Sequence, residues 1–160
     1  MSSFVLGIDP GLNGALALFN GEHVEIIDMP CVERSVNGKS KRQVDLYQLG
    51  NWLDLNRNRI RRAVIEQVTS SPQMGVASAF SFGFSAGAVQ AAVAANAIPT
   101  NLVRPQEWKS SFGLMRQPKD ASRGAASRLC PAYSQLWPLK KHDGRAEALL
   151  LAVYGFRFLN

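Results

Sequence analysis

The sequence predicts an α/β fold: a five-stranded mixed sheet, its first three strands antiparallel, with helices on both faces. Three observations carry this. Short apolar runs at residues 4–8, 15–19 and 23–29 are separated by the turn signals Asp9-Pro-Gly11 and Asn20-Gly21. Two further apolar runs, 62–68 and 101–103, each follow a stretch of helical character. From Pro105 onward the chain reads as helix.

Each element has a local reason. FVLGI (residues 4–8) is apolar without alternation, as suits a strand buried on both sides. ALALF (15–19) and residues 23–29 flank Asn20-Gly21, a strong hairpin signal. Residues 34–42 (RSVNGKSKR) read as a mobile basic loop. Between 43 and 58, Val44, Tyr47, Leu49, Trp52, Leu53 and Leu55 approximate one helical face. RAVIEQV (62–68) makes the fourth strand, residues 74–95 an uncharged helix, and 101–103 the fifth strand. Pro105 suits a first helical position ahead of Trp108 and Lys109. Residues 113–118 form a loop, 119–129 a helix stopped by Pro131, and 143–158 the last helix.

At 160 residues, 46% hydrophobic and 19% charged, the chain has the composition of one folded domain and not of a disordered one. Cys31 and Cys130 make no paired motif, which excludes a zinc finger or a disulfide framework. No basic stretch precedes an apolar leader, so a cytoplasmic protein is expected. Residues 68–103 carry no charge and are long enough to span a bilayer. Their Ser, Gly and Ala content, with Gln90 and Asn96, points instead to a buried helix and no membrane partner. Gly75, Ala79, Gly83, Gly87, Ala91 and Ala95 recur every four residues in that helix. Such a ridge suits close packing, either within the chain or against a second copy in a symmetric dimer.

The net charge is +6, and its location is informative. Residues 1–103 balance 8 basic against 8 acidic side chains, whereas residues 104–145 hold 9 basic against 3 acidic. A solubilising face mixes both signs, so this one-sided stretch predicts a surface for a polyanion such as nucleic acid.

Within this basic chain, four carboxylates are placed unusually. Asp9 ends the first strand, and Glu66 lies near the end of the fourth. If those strands are adjacent and parallel, both acids reach one sheet edge, where open α/β sheets hold ligands. Asp143 and Glu147 share a face of the last helix, and Leu151 and Tyr154 continue that stripe inward. Converging acids raise one another's pKa and call for cations. Two divalent ions ~3.5–4 Å apart would activate a water for phosphodiester hydrolysis, and oxygen-only donors favour Mg²⁺ or Mn²⁺. Structural roles stay open beside this: Asp9 making its turn, Asp143 capping its helix, Glu147 pairing with an arginine.

FVLGIDPG (residues 4–11), VIEQV (64–68) and HDGRAEALL (142–150) together resemble the RuvC family of Holliday junction resolvases, in the ribonuclease H-like superfamily. RPQEWK (104–109) and KDASR (119–123) fit as well, so the resemblance spans nearly the whole chain. It implies that Asp9, Glu66, Asp143 and Glu147 hold two Mg²⁺ ions, with Mn²⁺ able to substitute, and that Lys109 and Lys119 contact phosphates near the cut. Further DNA contacts are expected from Arg123, Lys140, Lys141 and Arg145, and from Lys39, Lys41 and Arg42. The implied activity is nicking of opposed strands in four-way junctions by a homodimer, in bacterial or phage-infected host cytoplasm. Two positions depart from the bacterial pattern. Residue 144 is Gly, leaving Asp143 as the candidate acid and His142 as an alternative ligand. Thr69 stands where those enzymes carry an aromatic wedge; Phe80, Phe82 and Met74 are nearby, each suited to helix core. Both departures resemble phage-encoded members.

Three other readings compete. A nuclease of the same fold would cut other branched DNA or RNA–DNA hybrids. A non-catalytic junction-binding module would not need all four acids. An actin-like phosphotransferase shares the early Asp-x-Gly turn but needs two domains to enclose its nucleotide, more than 160 residues supply.

Overall fold

Strand β1 (Phe4–Asp9) is apolar on both sides because it lies at the centre of a sheet covered twice. In the computed structural model, which describes residues 3–159, β1 pairs antiparallel with β2 (Ala15–Phe19), and β2 with β3 (Val24–Asp28). On its other side β1 pairs in parallel with β6 (Ile60–Glu66), which pairs in parallel with β7 (Thr100–Val103). The order β3-β2-β1-β6-β7 is the mixed five-stranded sheet expected from the sequence.

Side chains alternate between two cores. Val5, Ala17 and Val64 face α5 (Asp143–Phe158), α4 (Ala121–Leu129) and the buried Trp108 of α3 (Pro105–Ser111). Leu6, Ile8, Leu16 and Ile65 face Leu49 and Leu53 of α1 (Leu46–Asn56) and Val89 and Val93 of α2 (Val76–Ala95). Burying each large aliphatic side chain stabilises the fold by about 1.5–3 kcal/mol. Gly7 sets the height of α5 over β1. A methyl group there would collide with the backbone of Ala148 and Ala152, so only glycine lets the helix lie this close.

Element boundaries moved for local reasons. Helix α1 begins at Leu46 because the Asp45 carboxylate accepts from the N–H groups of Tyr47 and Gln48, both at 3.1 Å. A turn closed by the Met74 N–H on the Ser71 carbonyl delays α2 to Val76.

Two expectations are corrected. Residues 34–42 are not a mobile loop but most of a hairpin, β4 (Cys31–Val36) and β5 (Lys39–Val44), which form their own two-stranded sheet. Asn37 and Gly38 turn it with φ of 52° and 72°, the conformation that Asn-Gly favours. Polar side chains on both faces hid the strand period. Helix α2 is not a buried core helix: of its residues only Ala86, Val89 and Val93 are buried. Phe80 and Phe84 are exposed and Phe82 is partly exposed, so the core role expected for Phe80 and Phe82 is not met. By length and composition alone, α2 is apolar enough to cross a membrane.

Candidate active site

The parallel pairing of β1 and β6 puts Ile8 beside Ile65, so Asp9 and Glu66 leave adjacent strands at the same edge. Beyond Asp9 the chain turns sharply, with the Gly14 N–H on the Gly11 carbonyl at 2.9 Å, and packs against the start of α5. Gly144 permits that contact: a methyl group there would collide with the carbonyl oxygen of Asn13. Glycine at 144 therefore lets the start of α5 lie against the turn that follows Asp9.

The carboxylates feel one another. Asp9 is raised to about 6, first by burial, then by Glu66; the Gly11 N–H, donating to Oδ1 at 3.2 Å, and Lys109 oppose the rise. Glu147 is raised to about 7, again mainly by burial, then by Asp9 and Glu66, against Lys109 and the Ser122 hydroxyl, which donates to Oε1 at 3.3 Å. Glu66 accepts from the indole N–H of Trp108 at 2.8 Å.

Asp143 is placed differently. Its Oδ1 accepts from Nε of Arg123 at 2.7 Å, so a predicted acid and a predicted DNA contact satisfy each other. Among the described residues, no group of three His, Cys, Asp or Glu side chains is gathered as a metal cage. Asp9, Glu66 and Glu147 share one electrostatic field, whereas Asp143, which lines the same pocket as Asp9 and Glu147, is paired with Arg123. His142 turns Nδ1 back to accept the Leu139 N–H at 3.2 Å, a capping contact.

Asp9, Asp143 and Glu147 line an open pocket of about 1020 Å³ together with Lys109, Lys119, Lys140 and Lys141. The other predicted basic residues lie elsewhere. Arg145 makes a bidentate pair with Asp28 at 2.6 and 2.7 Å and donates to the Leu136 carbonyl, which ties α5 to β3. Arg42 donates to the Asn13 side chain and the Leu12 carbonyl, bracing the turn after Asp9. Lys39 and Lys41 are exposed on β5. Sequence reasoning missed Trp108 and Ser122 as partners of the acids. Neither contact follows a short-range pattern, since they link residues 42 and 25 positions apart.

Oxygen donors that are partly buried and mutually repulsive fit a hard divalent cation, which would offset the burial and repulsion that together favour protonation.

A mixed sheet in this order, with acids at the carboxyl edge of two adjacent parallel strands and a third on the helix above, defines a class of mixed-sheet α/β folds. Within that class the fold is that of RuvC. The structure of Thermus thermophilus RuvC in complex with Holliday junction substrate is similar with a TM-score of 0.57 and 19% identity, over 94% of this chain and 90% of that one. A second Thermus thermophilus RuvC structure gives 0.55 and 17%, over 94% and 91%. No protein-family model matches the chain, and no curated protein matches it in sequence.

Proposed function

We propose that this protein is a divalent-metal-dependent endonuclease that resolves four-way DNA junctions as a homodimer. The observation that carries the reading is the pocket itself: Asp9, Asp143 and Glu147 share it with Lys109, Lys119, Lys140 and Lys141. The lysines attract a phosphate backbone, while the acids would repel it unless neutralised by cations. The similarity to a junction-bound RuvC supports four-way DNA as the substrate.

In this reading Asp9, Glu66, Asp143 and Glu147 would hold Mg²⁺ or Mn²⁺. Such ions lower the pKa of a water and stabilise the departing oxygen. Lys109 counters the negative field of Asp9 and Glu147 and offers its ammonium to a non-bridging phosphate oxygen. The water oxygen bonds to phosphorus, one P–O ester bond breaks, and the released oxygen takes up a proton. Ser122 and the Gly11 N–H hold two of the carboxylates in place meanwhile. The exposed Gly83, Gly87 and Ala91 ridge of α2 supports close approach of a second copy.

The test is a panel of a synthetic four-way junction, a flap, a linear duplex and an RNA–DNA hybrid, each with Mg²⁺ and with EDTA. Symmetric nicking of the junction, absent with EDTA and with Asp9→Asn, is expected. Equal cutting of duplex and junction would sink junction selectivity, and preferred cutting of the hybrid would reassign the substrate.

A further inference from the structure

The four acids are held by different kinds of partner. Asp9 accepts from a backbone N–H, Glu66 from an indole N–H and Glu147 from a hydroxyl. Such neutral donors orient a carboxylate and leave its charge in place. Asp143 alone of the four is hydrogen-bonded to a cation, Arg123, with the two side chains 23% and 22% exposed.

The pair has the form of an exchangeable contact. Arg145 grips Asp28 through two hydrogen bonds, whereas Arg123 gives Asp143 one, from Nε to Oδ1, and turns Nη1 to the Pro138 carbonyl at 3.5 Å. Helix α4 does not need the pair to stay on α5, because Ala125 and Ala126 are buried in the core that also holds Ala146, Leu149 and Leu150. A partly exposed pair joined by one bond contributes little to stability. Asp143 lines the acidic pocket and Arg123 does not, so the guanidinium reaches the carboxylate from outside the pocket. Although Asp143 lies one helical turn before Glu147, it is not among the charges that raise Glu147.

A guanidinium and a hard cation compete for a carboxylate, because two positive charges brought to it at close range repel each other. We propose that Arg123 is a built-in competitor of the divalent cation at Asp143: its guanidinium neutralises this acid in the metal-free protein, and a cation gains the carboxylate only by releasing it. This rests on the nuclease reading and adds to it the residue that sets how tightly Asp143 takes a cation. Asp9, Glu66 and Glu147, which have no bonded cation, take an ion first, and cutting waits until Arg123 gives up the fourth acid.

Metal binding without DNA separates the two claims. Free Mn²⁺ is followed by electron paramagnetic resonance as it is titrated into the protein, and junction cutting with Mg²⁺ is measured in parallel. The wild-type chain is expected to take one ion tightly and a second at least tenfold more weakly. Arg123→Gln removes the charge, keeps much of the aliphatic stem, and is expected to tighten the weak position at least tenfold. Asp143→Asn in the same chain should cancel that gain. Lys140→Ala removes an equal charge from the pocket wall, one that pairs with no carboxylate among the described residues, and should change the weak position less than threefold. In EDTA the melting temperature of Arg123→Gln should stay within about 4 °C of wild type.

Two equal positions in the wild type, no gain in Arg123→Gln, an equal gain in Lys140→Ala, or a gain that survives Asp143→Asn each overturn the proposal and leave the nuclease reading standing. A large loss of melting temperature without tighter metal binding also overturns it, since the pair then only joins two helices. The expected gain with no cutting of any substrate overturns the nuclease reading alone. Absence of Mn²⁺ binding in every variant overturns both.

Discussion

The indole N–H of Trp108 donates to Oε2 of Glu66 at 2.8 Å from a ring with no exposure to solvent. Glu66 ends a strand whose preceding residues, Ala63, Val64 and Ile65, are fully buried, and Trp108 supplies the polar partner its carboxylate needs there. A hydrogen bond to a charged acceptor is worth about 1.5–3 kcal/mol.

Trp108→Phe keeps most of the ring and removes the donor. Glu66 then loses its orientation, so Mn²⁺ affinity measured by calorimetry is expected to fall roughly tenfold, as when an outer partner of a metal ligand is lost. Junction cleavage should lose kcat with KM unchanged, because the fully buried Trp108 offers no surface to a substrate. Wild-type metal affinity in this variant would show that the contact only packs the core.

Asp9 and Glu147 make metal-free stability depend on pH. Both carboxyls have folded pKa values, about 6 and about 7, above the ordinary 3.8 and 4.5. The folded state therefore binds more protons than the unfolded one in that window. The stability that these two groups contribute is fully present below pH ~4 and is lost as pH rises through ~7, by an amount on the order of a few kcal/mol. Melting temperature in EDTA should fall across that range. Asp9→Asn should flatten the fall, and Mg²⁺ should reverse it near neutral pH. A flat profile in EDTA would contradict the burial and crowding of these acids.

Gly144→Ala is expected to destabilise the protein by about 1–3 kcal/mol, the usual range for overpacking a tight contact. The added methyl pushes the Asn13 carbonyl, and with it the turn behind Asp9. Activity should fall further than a melting-temperature shift of that size explains. A stable, fully active variant would show that the turn yields freely.

Arg145 and the rim lysines should separate cleanly. Arg145→Ala breaks the pair with Asp28, whose carboxyl that guanidinium holds below its usual range. Because Asp28 is largely exposed, the loss should be about 1 kcal/mol or less, with the salt dependence of DNA binding unchanged. Lys119→Ala with Lys140→Ala should leave the melting temperature unchanged and weaken junction binding. Titration of binding against salt distinguishes the two.

The sequence by itself determined the layered fold and its polarity. Unbroken apolar runs in β1 and β6 have meaning only in a sheet covered on both faces, and the Asp-Pro-Gly and Asn-Gly turns divide the first three strands. It also placed Asp9 and Glu66 at strand ends and Glu147 on an inward helix face, because these depend on short-range period. Composition hid the β4–β5 hairpin, whose only local sign was Asn37-Gly38, and overstated the burial of α2. Tertiary structure alone decided how the charges pair. Asp143 with Arg123, Asp28 with Arg145 and Glu66 with Trp108 join residues 20, 117 and 42 positions apart. Such pairings follow from which elements the sheet order brings together, and a side chain's charge does not reveal whether it faces a partner or a pocket.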